Sequence, residues 1–461
     1  MSSASLVESS PQSPASLPPG PAAPSPVQFF RWLTRPIPFM EECARKYGDC
    51  FTVRFPFGPK PRTLVFFSDP DTVKEIFTSD PEQLRAGEAN VIVRPLLGDH
   101  SLIVLDGVRH QRERRLMMPP FHGERMYVYG EVMREITDQT IDTWPVGQPF
   151  AIHPHLQQIT LNVILRTVFG LAEDTTLARL RTLLTDVLAT GANPFMLIPW
   201  LQIDLGPYSP WGKQVRRRKE IDQLLFAEFA RRRAADLSGR EDILSMLMQA
   251  RDEDGQPLSD QHLRDELMTL LVAGHETTAT SLAWMLYRIF GRPDVLEKLR
   301  AELREVSGTG PVTPQQINKL EYLEATIKET QRLNPILPVV GRRLKMPTTV
   351  GGRALPAGVV AMPCIYLTHH RPDLWPNPDE FKPERFLGKK PTPWEFFPFG
   401  GGNRFCLGAG FATYEMKVVL AQILSRTTLR LASKQPIRVV RRSITFAPSE
   451  GMPVVLERRA A

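Results

Sequence analysis

The stretch that decides the fold is Phe399-Gly400-Gly401-Gly402-Asn403-Arg404-Phe405-Cys406-Leu407-Gly408. It places one cysteine in a glycine-rich loop, immediately before an apolar segment with helical periodicity. Glycines let backbone N–H groups come close to the sulfur, and the positive end of the following helix favours a negative charge. These conditions favour a thiolate, so we expect Cys406 to form a stable bond to an iron centre.

Polar residues interrupt the longest apolar helical pattern, which runs from residue 260 to about residue 290. They form the segment Ala273-Gly274-His275-Glu276-Thr277-Thr278. Burying polar groups costs free energy unless they are satisfied or used, so this segment indicates a functional site. The Thr277 hydroxyl can donate to the carbonyl of Ala273, one turn earlier, which loosens the helix and makes a groove there.

Two pairs of residues have the spacing of neighbours on a helix face. His110 and Arg114 are four residues apart, and Glu329 and Arg332 are three apart. An exposed helical ion pair of this kind is common and usually contributes under about 1 kcal/mol. Spacing alone therefore does not assign a function to either pair, and the surrounding motifs must be considered.

Taken together, these segments resemble the cytochrome P-450 family. The cysteine stretch resembles its F-x-x-G-x-R-x-C-x-G loop, residues 273–278 its A/G-G-x-D/E-T-T motif, and residues 110–114 its H-x-x-x-R pair. Glu329 with Arg332 resembles E-x-x-R, and Pro383-Glu384-Arg385-Phe386 resembles P-E-R-F. The motif style is most similar to soluble bacterial members, including a cyanobacterial and myxobacterial group. The resemblance implies a mainly α fold with a smaller β part (α+β), a triangular prism with haem between the long helix and the cysteine loop.

The resemblance also implies a role for each motif residue. Cys406 would bind the iron of haem b, while Glu276 and Thr277 would be catalytic and relay protons to dioxygen. His275 occupies the variable position of its motif and is not expected to bind iron. The resemblance assigns haem contacts to His110, Arg114, Ala273, Arg342, Phe399, Arg404 and Gly408, and a structural network to Glu329, Arg332 and Arg385. Arginine suits the haem carboxylates because it can bind both oxygens, but adjacent Arg343 leaves the register of Arg342 open.

Substrate contacts are expected from segments that vary within the family, and they are apolar. Such a pocket binds hydrophobic molecules by burial. Arg94 could meet a substrate carboxylate, but exposure or a structural role is favoured, so it is not part of the predicted pocket. Residues 195–198, in a proline- and glycine-rich segment, are further candidates. The predicted pocket residues are Val91, Ile92, Val93, Leu271, Val272, Ala273, Ile336, Val339 and Val340.

The function implied by the resemblance is a monooxygenase that hydroxylates or epoxidises a hydrophobic small molecule, such as a fatty acid, terpenoid or steroid. The segment after Cys406 is too short for a reductase domain, so electrons are expected from a ferredoxin and its reductase or from a flavodoxin. Two alternatives stay open. One is a haem-thiolate peroxygenase or isomerase that needs no reductase, and the other is a non-catalytic haem sensor or ligand carrier.

Composition narrows the remaining possibilities. The net charge of +7 comes from dispersed arginines without aromatic interleaving, which favours an acidic protein partner over nucleic acid. The four cysteines lack metal-type or disulfide spacing, which suits the reducing cytoplasm. Residues 1–27, with seven prolines and eight serines, are predicted to be a disordered tail without a membrane anchor. Residues 28–461 are predicted to form one monomeric domain.

The sequence pattern also predicts the helices and strands on which the motifs lie. Residues 49–57 and 62–68 are β-rich and predict a hairpin, and residues 191–212 predict a loop or broken-helix lid. Thr313-Pro314-Gln315-Gln316 has the pattern of a capping box that opens a helix ending at Asn334-Pro335. Other predicted helices lie near residues 107–119, 156–169, 221–237, 260–290 and 293–307.

Overall fold

A computed structural model describes residues 17–57, 61–121, 123–170, 175–191, 198, 201–237, 239–253, 255–308, 310–388, 390–442 and 444–460. Helices hold 56% of the structure and strands 13%, which confirms a mainly helical α+β protein. The α-helices are α1 Ser25–Thr34, α2 Pro36–Tyr47, α3 Pro70–Thr78, α4 Ala86–Ala89, α5 Arg94–Leu97, α6 Gly107–Met117, α7 Arg125–Asp142, α8 Ile152–Phe169, α9 Thr175–Gly191, α10 Pro210–Arg233, α11 Ile243–Gln249, α12 Asp260–Phe290, α13 Pro293–Ser307, α14 Glu321–Leu333, α15 Ile365–His369 and α16 Ala409–Arg426.

The strands form one five-stranded sheet and three smaller ones. The strand order of the large sheet is β1-β2-β8-β5-β3, a second sheet has the order β4-β12-β9, and β6-β7 and β10-β11 are hairpins. The strands are β1 Cys50–Phe55, β2 Arg62–Phe67, β3 Leu84–Arg85, β4 Pro149–Ala151, β5 Arg342–Leu344, β6 Thr348–Val350, β7 Arg353–Leu355, β8 Val360–Pro363, β9 Thr427–Leu431, β10 Val439–Arg442, β11 Thr445–Pro448 and β12 Pro453–Arg459. The predicted hairpin is confirmed, since β1 pairs antiparallel with β2.

The long helix α12 is the central element of the fold. It begins after Ser259, whose hydroxyl accepts the His262 N–H at 3.2 Å, and it runs for 31 residues, about 46 Å. Its residues are apolar on almost every side, which is the pattern of a helix surrounded by protein. The approach of α8 is close: a side chain at Gly274 would lie 2.3 Å from the Cδ1 of Ile164. This packing fixes the middle of α12 in the core.

Two predicted helix starts are wrong. The Thr313 N–H does donate a capping bond to the Gln316 Oε1, at 2.9 Å, but the residues after it form turns, and α14 begins only at Glu321. The Glu302 carboxylate satisfies the first N–H groups of α14, so the helix starts where that partner is available. Helix α10 begins at Pro210, inside the segment predicted as a lid, because Ser209 caps it. Residues 192–197 and 199–200 of that segment lie outside the described residues.

Part of the predicted tail is folded. Residues 1–16 lie outside the described residues, but the Pro19 carbonyl accepts the Thr52 N–H at 2.9 Å, and α1 begins at Ser25. The Gln28 amide also donates to the carbonyls of Pro21 and Ala23. These bonds attach the segment to β1, so the ordered part begins before residue 28. No helix in the described part of the chain has the length and apolar character needed to cross a membrane.

Candidate active site

A cavity of about 710 Å³ lies between α12, α6, the strands β5 and β10, and residues 399–408, called the cysteine loop below. Its lining includes Cys406 from the loop, Thr277 from α12, His110 from α6 and Arg342 from β5. These residues lie far apart in the amino-acid sequence, some of them by hundreds of positions. Folding therefore brings the predicted motifs together around one space.

Cys406 lies in a tight loop that ends at the start of α16. Residues Gly402–Arg404 form one 3-10 turn, and the Cys406 N–H donates to the Phe399 carbonyl at 3.0 Å. The cysteine is open to the cavity. Burial raises the pKa of its thiol, whereas the Gly408 N–H and the charge of Arg114 lower it. The loop thus presents the Cys406 sulfur to the cavity, where a bound cation would take the place of the thiol proton.

The glycines of the cysteine loop are required by close packing. Gly402 has φ +65°, and a Cβ there would lie 2.1 Å from the carbonyl oxygen of Phe77, at the end of α3. A Cβ at Gly401 would lie 2.3 Å from the Phe77 ring. Because no side chain fits, these glycines let α3 support the loop from behind.

Positively charged side chains surround one end of the cavity. Burial, followed by the charges of Arg404, Arg114 and Arg342, lowers the pKa of His110 to about 3. The His110 Nδ1 is buried without a hydrogen-bond partner among the described residues. Burial and the neighbouring Arg404 lower the pKa of Arg342 to about 9. Among the described residues, the Arg342 guanidinium donates only to backbone carbonyls, of Gly341 at 3.0 Å and Gly401 at 3.2 Å. This end of the cavity therefore favours an anionic group.

Arg404 and Arg343 have different surroundings. Arg404 lines the cavity, but it also donates to the Asp106 carboxylate at 2.6 Å and to the Leu102 carbonyl at 3.1 Å, which ties the cysteine loop to the segment before α6. Arg343 lies 3.8 Å from the Glu88 carboxylate, away from the cavity lining. Of the two adjacent arginines, Arg342 is thus the one that lines the cavity.

The centre of α12 has the predicted hydrogen bond. The Thr277 hydroxyl donates to the Ala273 carbonyl at 2.6 Å, and the Ser281 hydroxyl donates to the Thr277 carbonyl at 2.8 Å. Helix α12 continues without a break through this segment. Ala273, Gly274 and Thr277 all line the cavity, so α12 presents small side chains there.

Glu276 is held by residues from two other elements. Its carboxylate accepts the Arg442 Nε–H at 2.9 Å, from the end of β10, and the Gln157 amide at 2.5 Å, from α8. Thr280, one turn later, donates to it at 3.4 Å. The Glu276 side chain is 17% exposed, and it lines the cavity beside Thr277. The Glu276 carboxylate is therefore held in a defined orientation at the cavity wall.

His275 points away from the cavity into the contact between α8 and α12. Its Nδ1 lies 3.0 Å from the Thr160 hydroxyl. Burial, followed by the charge of Arg442, lowers its pKa to about 4. Nearby, the His153 Nε2 lies 3.2 Å from the Thr280 hydroxyl. Both imidazoles thus act as neutral hydrogen-bonding groups between the two helices.

The predicted network of Glu329, Arg332 and Arg385 is present. Arg332 donates to both Glu329 carboxylate oxygens at 2.8 Å, and the Arg385 Nε lies 3.3 Å from one of them. Arg332 also donates to the His369 carbonyl at 2.9 Å. The His369 Nε2 in turn accepts the Phe397 N–H at 3.0 Å, two residues before the cysteine loop. The network therefore braces the loop from the side opposite the cavity.

Comparison with known proteins agrees with this geometry. The family described as Cytochrome P450 matches residues 18–453, nearly the whole chain. The chain belongs to the cytochrome P450 family. "Putative cytochrome P450 135B1" of Mycobacterium tuberculosis is 40% identical over 94% of this chain and 90% of its own length. "Putative cytochrome P450 138" of the same organism is 36% identical over 96% of this chain and 97% of its own length.

Solved P450 structures have the same fold. A retinoic-acid-bound cyanobacterial CYP120A1 superposes with a TM-score of 0.82 at 25% identity, covering 96% of this chain and 100% of that one. The haem domain of cytochrome P450DA gives 0.83 at 24% identity, covering 96% and 98%. The P450 fold expected from the cysteine stretch is thereby confirmed. As a bacterial-type P450, the protein is a monooxygenase-type oxidoreductase with a haem-thiolate cofactor.

Most of the residues predicted for the substrate pocket of this P450 line the cavity, and two do not. Ile92, Val93, Val272, Ala273, Ile336, Val339 and Val340 line the cavity. Val91 does not, because it opens a 3-10 turn whose three residues point in different directions. Leu271 is fully buried in the core, since it lies on the side of α12 away from the cavity. Residues 195–197 lie outside the described residues, and Ile198 is buried against other apolar side chains.

Sequence reasoning missed three residues of the site. Gln157 and Arg442 hold Glu276 from 119 and 166 positions away, and Arg441 lines the cavity beside Arg442. Arg441 and Arg442 lie in a short β-prone segment that matches no motif, so the sequence gives no signal for them. Arg94, which was considered for carboxylate binding, is half exposed and lies 3.5 Å from Asp99.

Proposed function

We propose that this P450 inserts one oxygen atom from dioxygen into a hydrophobic small molecule, by hydroxylation or epoxidation. The observation that carries the proposal is the arrangement of Thr277 and Glu276 on α12, facing the cavity that Cys406 also lines. A carrier or sensor has no need for a carboxylate held in place beside a threonine. Such a pair suits an enzyme that must deliver protons to a bound oxygen species.

The residues present fit haem b. Cys406 would bind the iron through its thiolate, and His110, Arg114, Arg342 and Arg404 would hold the two carboxylates. The unpartnered His110 Nδ1 and the lowered pKa of Arg342 support this, because both indicate charge and hydrogen-bonding capacity that the described protein groups leave unused. When bound, haem supplies the binding of dioxygen and the electron transfer that activates it. Ala273, Phe399 and Gly408 line the same space and would contact the ring.

The proton path begins at Glu276 and passes to Thr277. Arg442 and Gln157 hold the Glu276 carboxylate at the cavity wall, and the hydroxyl of the next residue, Thr277, can release its bond to the Ala273 carbonyl and donate into the cavity. Because the carboxylate is partly exposed, it can take up protons again from water. Glu276 and Thr277 would therefore act as the catalytic residues, and Arg442 would position one of them.

The substrate class follows from the apolar lining. Ile92, Val93, Val272, Ile336 and Val339 offer few polar groups, which suits a fatty acid or a terpenoid. The relative that was solved with retinoic acid, a terpenoid acid, supports the same class. Electrons would come from a separate acidic donor, either a ferredoxin with its reductase or a flavodoxin. The net charge of +7 supports such a partner, and reduction should slow as ionic strength rises.

The experiment is a reconstitution with a ferredoxin, its reductase, reduced nicotinamide cofactor and isotopically labelled dioxygen, with dodecanoic acid or retinoic acid as substrate. The expected result is a product carrying one labelled oxygen atom. Turnover with hydrogen peroxide but none with the complete electron-transfer system would instead show a peroxygenase. The carbon monoxide difference spectrum tests the ligand separately: the strongly red-shifted band should disappear in Cys406→His.

A further inference from the structure

Arg441 is a half-buried cation on the wall of the active-site cavity. It lies near the end of β10, and its guanidinium stacks over the Trp32 ring at 4.7 Å and the Phe446 ring at 5.5 Å. Its Nε is buried and has no hydrogen-bond partner in the described part of the chain. The side chain lines the same cavity as Cys406.

Arg442, the next residue of the strand, has a carboxylate partner that Arg441 lacks. Successive residues of a strand point to opposite sides, and Arg442 points to α12, where the Glu276 carboxylate neutralises it. Arg441 points to the α1 side, and its guanidinium pairs with no carboxylate among the residues the structure describes. Burial lowers its pKa to about 10, so the side chain still carries its charge at neutral pH. An unpaired charge that is partly removed from water is costly, and a ligand that brings a negative charge reduces that cost.

The surroundings of Arg441 define the rest of that ligand. Phe29, Trp32, Phe55 and Leu64 line the adjoining part of the cavity, and their surfaces are apolar. We propose that Arg441 binds the carboxylate of an apolar carboxylic-acid substrate, whose hydrocarbon body extends along the cavity towards Thr277. The planar guanidinium can bind both carboxylate oxygens, and the two aromatic rings hold it in place for that. This inference rests on the proposed function and names its substrate class.

The test compares the binding of dodecanoic acid with that of its methyl ester, which has the same chain but no charge. Binding to the oxidised, haem-loaded protein is measured by the shift of the haem absorption band and by equilibrium dialysis. The proteins are the wild type, Arg441→Leu, Arg441→Lys and two controls. Arg438→Leu removes an exposed arginine of the same hairpin region, and Arg62→Leu removes another arginine of the cavity wall.

The readout is the ratio of the two Kd values, so a general disturbance of the cavity, which weakens both ligands, does not change it. The wild type and Arg438→Leu should bind the acid at least about tenfold more tightly than the ester. Arg441→Leu should lose this preference, and Arg441→Lys should keep part of it. An unchanged ratio in Arg441→Leu, or a loss confined to Arg62→Leu, would overturn the proposal. Because no electron donor is used, the result stands whether or not the protein oxygenates the acid.

Discussion

The Arg442 Nε lies 2.9 Å from the Oε1 of Glu276, which joins the end of β10 to the turn of α12 that carries Thr277. This ion pair links the C-terminal hairpin to the residues that we propose to handle protons. Gln157 completes the arrangement from α8. The orientation of Glu276 thus depends on three elements rather than on α12 alone.

The first prediction concerns this ion pair. Arg442→Leu should lower the amount of product formed per reduced cofactor consumed by roughly tenfold, because the Glu276 carboxylate loses the partner that holds it beside Thr277. Arg442→Lys should retain part of the yield, since it keeps the charge. The measurement is the ratio of product to cofactor in the reconstituted system. Equal ratios in Arg442→Leu and the wild type would show that the ion pair has no role in proton delivery.

The second prediction separates Arg342 from Arg343. Arg342→Ala should lower the haem content of the purified protein, because this guanidinium lines the cavity and has no carboxylate of its own within ion-pair distance in the described chain. Arg343→Ala should leave the haem content unchanged, because that side chain faces Glu88. The ratio of haem absorbance to protein absorbance measures both. A larger loss from Arg343→Ala would reverse the assignment.

The third prediction ranks the members of the structural network. Arg332→Ala should lower the free energy of unfolding by about 3–5 kcal/mol, because it leaves the fully buried Glu329 charge without its main partner. Arg385→Ala should cost clearly less, since Arg332 and the Lys382 N–H still bind Glu329. Urea unfolding gives both values. If the two variants proved equally unstable, Arg385 would carry more of the network than its 3.3 Å contact indicates.

The fourth prediction is a loss of stability in mild acid. An unfolded histidine titrates near pH 6.5, whereas burial lowers the pKa of His275 to about 4 and that of His153 to about 3. Between pH 6.5 and 4 the unfolded chain binds more protons than the folded one. The free energy of unfolding should therefore fall as pH falls, by up to about 1.4 kcal/mol per pH unit for each histidine.

Urea unfolding between pH 8 and pH 5 measures this dependence. His275→Asn should show a shallower slope below pH 6.5, and its slope above pH 7.5 should match that of the wild type, because neither form of the histidine is charged there. A slope that is unchanged by the substitution would mean that other groups cause the acid sensitivity.

Local patterns were sufficient wherever the function depends on neighbours in the chain. The Thr277 bond to Ala273 spans one helical turn, and Glu329 and Arg332 share a helix face, so spacing alone predicted both contacts. The hairpin of β1 and β2 and the bounds of α12 were predicted for the same reason. Predictions were wrong where the outcome depended on the direction in which a side chain points. Val91 and Leu271 are apolar and close to the site in sequence, but only packing decides which side chain meets the cavity.

The amino-acid sequence was enough to predict the P450 family, and it singled out the cysteine that would bind iron and the pair of residues that would handle protons, because each lies in a short, contiguous motif. The tertiary structure decided which residues complete them. Arg442 reaches Glu276 across 166 positions, Arg342 rather than Arg343 enters the cavity, and Arg441 lies there without a carboxylate partner in the described chain. Such contacts depend on how strands and helices pack. The free-energy cost of burying a charge can be judged only when the groups around that charge are known.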